Sequence, residues 1–184
     1  MNTELLKPIL GRKSVFAFDP KPLTHSQIDT LFDAARWAPS SYNEQPWRFY
    51  YASRATPESF LRLLSTLMPP NRKWAKDASL LVVSAARKIS GVTGKENLYA
   101  IHDTALAEAN LMLQAQHMGF VTHPMGGFSH SKVRDVASIP DDYHVVAVLA
   151  VGYQGDEATL SPELLKRATA PRERKPLVDL AMEL

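Results

Sequence analysis

The sequence predicts an α+β fold in which a mixed central sheet is flanked by helices. The chain has 184 residues, near the ~150 expected for one domain, and 45% of them are hydrophobic, which allows a substantial core. Strand-like and helix-like segments alternate, but not in strict βαβ units, so an all-parallel sheet is not expected. We therefore expect one domain over residues 1–184.

The first clear helix follows a local start signal. Residues 24–27 have the capping-box pattern, in which the side chains of Thr24 and Gln27 bond each other's backbone N–H groups. Apolar residues then recur at helical spacing over 28–35. One face of this helix is therefore expected in the core.

A strand and a second helix come next. The aromatic-rich run 47–52 predicts a strand. Pro57 suits the first turn of a helix, and we expect the Pro69–Pro70 pair to end that helix. Asn71 to Lys73 would then lie in a polar loop before the next strand.

Two buried strands and a long helix dominate the second half. The apolar runs 80–85 and 144–151 predict strands that are covered on both faces. The run 101–118 predicts a helix with apolar residues around much of its circumference, which suggests that a second subunit covers part of it. Shorter helices are expected over 131–137 and from 161.

Composition and charge exclude several classes of protein. The net charge of +2 is too small to indicate nucleic-acid binding. The absence of cysteine excludes disulfides and thiolate chemistry, and it agrees with a reducing cytoplasm. Residues 1–8 lack the apolar run of a signal peptide, and no run approaches the ~18 residues of a membrane span. We expect a soluble, cytoplasmic protein that binds neither nucleic acid nor membrane.

Two basic segments contain the groups that hold a phosphate. Arg12, Lys13 and Ser14 place two cations and a hydroxyl in succession, and these can form charge-assisted hydrogen bonds. Arg172 and Arg174 would point the same way from an extended segment and could grip one phosphate together. A solvated basic turn and a solvated tail are the respective alternatives.

Two further segments could approach a ligand. Gly126 and Gly127 follow an apparent strand, and paired glycines let a backbone come close to a bound group. Asn71 contributes an amide in the predicted polar loop. A plain turn and an ordinary surface loop are the alternatives.

The densest polar cluster lies between the end of the first helix and the first long strand. Residues 39–47 read PSSYNEQPW, and their hydroxyl and amide groups can bond the edge of a heteroaromatic ring. The two prolines hold the backbone extended, although an ordinary helix-to-strand turn is the alternative. This run resembles the Pro-Ser-Ser-x-Asn-x-Gln-Pro-Trp motif of the FMN-dependent nitroreductase family.

The other segments occur in the order found in that family. An Arg-x-Ser segment, the motif, an Asn-containing loop, a Pro-x-x-Gly-Phe turn and a basic pair before a proline follow one another along almost the whole chain. The resemblance implies a nitroreductase-like fold in a domain-entwined homodimer, with FMN at the subunit interface.

The resemblance also implies roles for individual residues. Those implied to hold the FMN phosphate and ribityl chain are Arg12, Lys13, Ser14, Arg172 and Arg174. Those implied to meet the ring system are Asn71 at the pyrimidine edge and Gly126 and Gly127 at flavin N5. Those implied to reach the flavin from the other subunit are Pro39, Ser40, Ser41 and Asn43.

The implied activity is that of an FMN-dependent NAD(P)H oxidoreductase. NADH or NADPH would pass hydride to flavin N5 and leave, and a nitroaromatic, quinone or similar electron-poor aromatic would then take its place. The flavin carries this ping-pong chemistry, so no side chain is assigned as a general acid or base. The histidine spacings do not indicate a metal site.

One departure from the family keeps alternatives open. Phe16 occupies a position that is often basic in the family, near flavin N1 and O2. The positive charge that would stabilise the reduced flavin is therefore missing there, unless Lys73 or Arg72 supplies it. A flavin-binding or storage module without turnover is therefore an alternative. A dehalogenating or flavin-degrading member of the same family, and a scaffold without a cofactor, are the others.

Overall fold

The computed structural model describes residues 4–184, in which seven helices and five strands are found. The helices are α1 (Lys7–Gly11), α2 (His25–Arg36), α3 (Pro57–Leu64), α4 (Pro69–Ala75), α5 (Ala100–His117), α6 (His130–Ala137) and α7 (Pro162–Ala168). The strands are β1 (Phe18–Asp19), β2 (Trp47–Ser53), β3 (Leu80–Arg87), β4 (Val121–Met125) and β5 (Tyr143–Gln154).

Strand β5 organises the sheet. It pairs antiparallel with β1, β3 and β4, and β3 pairs with β2. A parallel bridge between Ser14 and Thr122 attaches the segment after α1 to β4. The sheet therefore places residues 12–14 beside a strand, although they belong to a connecting segment.

Helices cover both faces of this sheet. On β3, Leu81 and Val83 join a core with residues of α3, α4 and α6, whereas Leu80 and Val82 join a second core with residues of α2 and α5. Because neighbouring strand residues point to opposite faces, β3 is mostly apolar on both faces, and only Ser84 and the exposed Arg87 interrupt the run. The predicted α+β fold with a central sheet flanked by helices is confirmed.

Much of the apolar circumference of α5 is explained within one chain. Ala107, Leu111 and Ala115 are buried in the core shared with α2 and the sheet, and α1 and α2 contact the helix. Apolar exposure is concentrated at its N-terminal end, where Ile101 is half exposed. The helix by itself is thus weaker evidence for a second subunit than its sequence suggested.

The Pro69–Pro70 pair begins a helix, which corrects the expectation that it ends one. Helix α3 ends at Leu64, and the prolines occupy the first turn of α4, where an N–H has no intrahelical partner to lose. The segment Asn71–Lys73, expected in a loop, therefore lies on α4.

The helices in the described part of the chain are either too short or too polar to cross a membrane.

Glu108 places a carboxyl group inside the core beneath α5. It is 7% exposed and accepts a hydrogen bond from the Ser84 hydroxyl. Burial raises the pKa of Glu108, and the bond from Ser84 offsets part of that effect. The folded protein thus holds this proton more tightly than the unfolded chain, so the resulting stability is present at low pH and lost as pH rises through the raised pKa.

We therefore expect Glu108→Gln to stabilise the protein at alkaline pH. The gain should be about 1–3 kcal/mol in the free energy of unfolding, the scale of a buried polar group left poorly satisfied. Urea unfolding at about pH 5 and about pH 8 would measure this gain. Both values lie above the ordinary pKa of Glu, so the carboxyl of the unfolded chain is ionised at both, and a difference between them reports the carboxyl of the folded protein. Glu96→Gln, at an exposed position, is the control. Equal pH dependence in both variants would contradict the assignment.

Candidate functional site

All five residues that were predicted to hold the FMN phosphate and ribityl chain meet at one cavity. Arg12, Lys13 and Ser14 approach it from the segment after α1, and Arg172 and Arg174 approach it from the segment after α7. The cavity has a volume of 580 Å³. Two segments that are far apart in sequence thus converge on one basic surface.

The positive charge in this cavity is only partly compensated. Burial lowers the pKa of Arg12, and the neighbouring Arg172 and Arg174 guanidinium groups lower it further. Lys13 differs, because its Nζ lies 3.0 Å from Oε1 of Glu157. The three arginines therefore form a site in which an anion would relieve mutual repulsion.

Arg172 and Arg174 have different contacts. The Arg172 guanidinium donates to the backbone carbonyls of Leu10 and Arg12, which ties the C-terminal segment to the end of α1. Arg174 donates to the carbonyl of Glu173 at 2.7 Å, and among residues 4–184 no ion pair with a carboxylate involves it. Arg172 thus fixes the position of the C-terminal segment, whereas the Arg174 guanidinium remains able to bind an anionic ligand.

An aromatic cluster lies beside the basic cavity. Phe16 is 7% exposed and contacts His123 and Trp74, with ring centroids 4.8 and 5.5 Å away. Burial lowers the pKa of His123, although its Nδ1 lies 2.7 Å from the Val15 carbonyl, which raises the pKa in part. The position that is often basic in the family is therefore filled here by a core side chain.

Arg167 was not identified from the sequence, although it borders the same cavity. Its guanidinium lies 4.7 Å from the Phe16 ring centroid, in a cation–π arrangement. Lys73 lines a neighbouring cavity together with Phe16. Arg167 is thus a third candidate for the missing cation. The sequence feature that could have identified it is a basic residue near the end of the helix predicted from 161.

Asn71 and Gly127 form a second group. Asn71 Nδ2 donates to the Gly127 carbonyl at 3.1 Å, and the Met68 N–H donates to the same oxygen at 2.9 Å. A Cβ atom on Gly127 would lie 2.6 Å from Asn71 Nδ2, so a larger residue there would displace the Asn71 amide. Gly126 has no atom within 4 Å of its Cβ position and faces open space.

The motif segment forms a hydrogen-bonded turn of unusual backbone conformation. Tyr42, Asn43 and Gln45 have φ values of 53°, 54° and 49°, in the left-handed region that non-glycine residues seldom adopt. Ser40 Oγ accepts the Gln45 N–H at 3.0 Å, and Gln45 Nε2 donates to the Asn43 side chain at 3.2 Å. These bonds hold the polar side chains in a defined arrangement.

Two acidic residues anchor this turn to the rest of the chain. Asp103 Oδ2 accepts the Ser41 N–H at 2.9 Å. The Glu44 carboxylate accepts hydrogen bonds from the Ser90 hydroxyl and from Asn97 Nδ2, the latter at 3.2 Å. Neither anchor could be predicted from local sequence, because each bond joins residues that are distant along the chain.

The predicted site residues thus form three groups. The basic cavity contains Arg12, Lys13, Ser14, Arg172 and Arg174. The second group contains Asn71 and Gly127, with Gly126 beside them. The motif turn contains Pro39, Ser40, Ser41 and Asn43, and Asn43 borders a separate cavity with Trp37. Within residues 4–184, no hydrogen bond joins the motif turn to either other group.

Comparison with known proteins agrees with the sequence resemblance. The family model described as "Nitroreductase family" matches residues 9–153. A protein of Rhodopseudomonas palustris (strain TIE-1), named as an NADH dehydrogenase/NAD(P)H nitroreductase, is 33% identical over 165 residues, which cover 79% of this chain and 82% of the relative.

Solved structures support the same relationship. A structure described as an oxidoreductase containing FMN has a TM-score of 0.92 and 35% identity, and the match covers 100% of this chain and 93% of that one. A solved structure from Exiguobacterium sibiricum, described as a complex with FMN, has the same fold at 20% identity, with a TM-score of 0.81 over 100% of this chain and 99% of that one. The family model spans most of the chain, and the chain belongs to the Nitroreductase family.

Proposed function

We propose that this protein is an FMN-dependent NAD(P)H oxidoreductase that reduces nitroaromatics, quinones or similar electron-poor aromatics. The main support is the basic cavity, where Arg12 lies close to Arg172 and Arg174 and where, among residues 4–184, no ion pair with a carboxylate involves these three arginines. The family membership and the FMN-containing structural relative agree with this proposal.

The described residues fit FMN at both its ends. Arg12 and Arg174 would bind the phosphate through charge-assisted hydrogen bonds, with Ser14 donating its hydroxyl and Arg172 holding the segment in place. Asn71 uses Nδ2 for the Gly127 carbonyl, which leaves Oδ1 to accept from an N–H of the pyrimidine ring. The open space beside Gly126 would allow the ring system to approach the backbone.

A bound flavin would supply hydride acceptance and donation at N5, and the protein would position and tune it. Arg167 or Lys73 would provide positive charge near the reduced ring, a role in which Phe16 cannot serve. Nicotinamide and acceptor would occupy the same face of the ring in turn. This ping-pong order is part of the proposal.

We further propose that the protein is a homodimer in which the motif turn meets a flavin held mainly by the partner. The separation of the motif turn from the basic cavity supports this arrangement. The C-terminal segment also exposes several apolar side chains, each at least 63% accessible: Leu177, Val178, Leu180, Met182 and Leu184. Apolar surface of this extent is characteristic of a protein interface.

We propose that the protein acts in the cytoplasm. Anaerobic absorption spectroscopy of the FMN-reconstituted protein tests its activity. We expect NADH or NADPH to bleach the flavin band and menadione to restore it. A protein that binds FMN but is bleached by neither nucleotide would instead be a storage module. A protein that FMN cannot reconstitute would contradict the flavin proposal and favour a scaffold.

A further inference from the structure

A histidine outside the proposed FMN-binding set is connected to the motif turn. Asp103 lies in the first turn of α5, and its side chain is 3% exposed. One carboxylate oxygen accepts the Ser41 N–H, and the other lies 2.9 Å from Nδ1 of His102. A carboxylate buried to this degree needs such partners, so Asp103 links the turn and the imidazole in one hydrogen-bonded unit.

This link fixes the orientation of the His102 ring. A carboxylate can only accept, so Nδ1 of His102 is the donor and Nε2 is directed elsewhere. The His102 side chain is 65% exposed, so Nε2 is accessible to a ligand. A buried acid that orients an accessible histidine is the arrangement that proton-transfer sites use.

The surroundings of His102 suit a flat apolar molecule. The Tyr99 ring centroid lies 6.5 Å from that of His102, and Tyr99 is 56% exposed. Leu98 and Ile101 are also exposed, as is Tyr42 in the motif turn. His102 therefore lies next to an exposed aromatic ring and is linked through Asp103 to the turn that we propose meets the flavin.

We propose that His102, oriented by Asp103, donates the proton that the electron-poor acceptor takes up when it is reduced. This inference rests on the proposed function. A quinone gains a hydride on one oxygen, supplied by NAD(P)H through the flavin, and the other oxygen needs one proton. His102 donates as the imidazolium, with its Nδ1–H held by Asp103. The Nε2–H bond breaks, an O–H bond forms on the quinone, and the electron pair stays on the ring, which becomes the neutral Nδ1–H imidazole. A hydronium ion from the solvent then restores the proton on Nε2.

The test compares two oxidants of the reduced, FMN-loaded protein. Menadione takes up a hydride equivalent and a proton, whereas ferricyanide takes electrons without a proton. In stopped-flow experiments we expect His102→Gln to slow reoxidation by menadione about a hundredfold, the usual scale for loss of a general acid. Reoxidation by ferricyanide should be unchanged. His117→Gln, at the exposed far end of α5, should keep both wild-type rates.

One choice of reductant and one NMR measurement separate this inference from a failure of the proposed NAD(P)H activity and from a purely structural role of His102. Reduction with dithionite prepares the protein whether or not NAD(P)H reduces it, so failure of the proposed donor does not prevent the test. Nitrogen-15 NMR of the histidine rings should show an Nδ1–H tautomer for neutral His102, and Asp103→Asn should change that signal. Wild-type reoxidation by menadione in His102→Gln, or equal slowing with both oxidants, would overturn the proposal.

Discussion

Arg174→Ala is expected to weaken FMN binding by roughly ten- to a hundredfold, which corresponds to ~1.5–3 kcal/mol for a lost hydrogen bond to a charged group. Arg174 donates only to the neighbouring Glu173 carbonyl within residues 4–184, so its removal should leave folding almost unchanged. Fluorescence titration of FMN into the apo-proteins gives the dissociation constants, and thermal unfolding of the same samples gives their stability.

Two variants make this experiment specific. Lys175→Ala removes a neighbouring exposed charge from the same segment and should bind FMN as the wild type does. Arg172→Ala removes the bonds to Leu10 and Arg12 and should therefore affect both affinity and the order of the segment. Equal FMN affinity in Arg174→Ala and the wild type would remove Arg174 from the site.

Mixing two variants that each bind FMN weakly is expected to restore wild-type affinity in part of the sites. In a shared site, Arg174→Ala damages the phosphate end and Asn43→Ala damages the part contributed by the partner. A mixed dimer of these variants has one site with both defects and one site with neither. Random reassociation of symmetric dimers should thus yield roughly a quarter of all sites intact.

The dimer and the cofactor should also be thermodynamically linked. FMN should strengthen the dimer, and dilution into the monomer range should release FMN, because ligand binding shifts the assembly equilibrium. Sedimentation of apo and holo protein over a dilution series measures this. Absence of complementation, or a monomer that keeps FMN with full affinity, would refute the shared site.

Local signals predicted much of the fold. The capping box at Thr24 and Gln27 forms as expected, because both hydrogen bonds join residues three apart. The predicted strand over 80–85 forms as the buried part of β3, which ends at the exposed Arg87. The Pro69–Pro70 pair was misassigned because proline is compatible with the position after a helix and with the first turn of one.

The site was less accessible to sequence reasoning. Arg12 and Arg172 are far apart in the chain but meet at one cavity, and this contact was expected only from the family resemblance. The bond between Asp103 and Ser41 spans 62 positions, and nothing in the local sequence predicts it. The left-handed conformation at Tyr42 lacks the glycine that usually marks it. Such features depend on tertiary contacts.

A crystal structure of the protein with FMN would show directly whether two subunits share each flavin site. We expect a dimer in which the FMN phosphate lies within hydrogen-bonding distance of Arg12 and Arg174, with Asn71 at the pyrimidine edge of the same flavin. The motif turn of the other subunit should contact that flavin through Ser40 and Asn43. An FMN bound away from the arginine cavity, or a site completed within one chain, would refute the shared site.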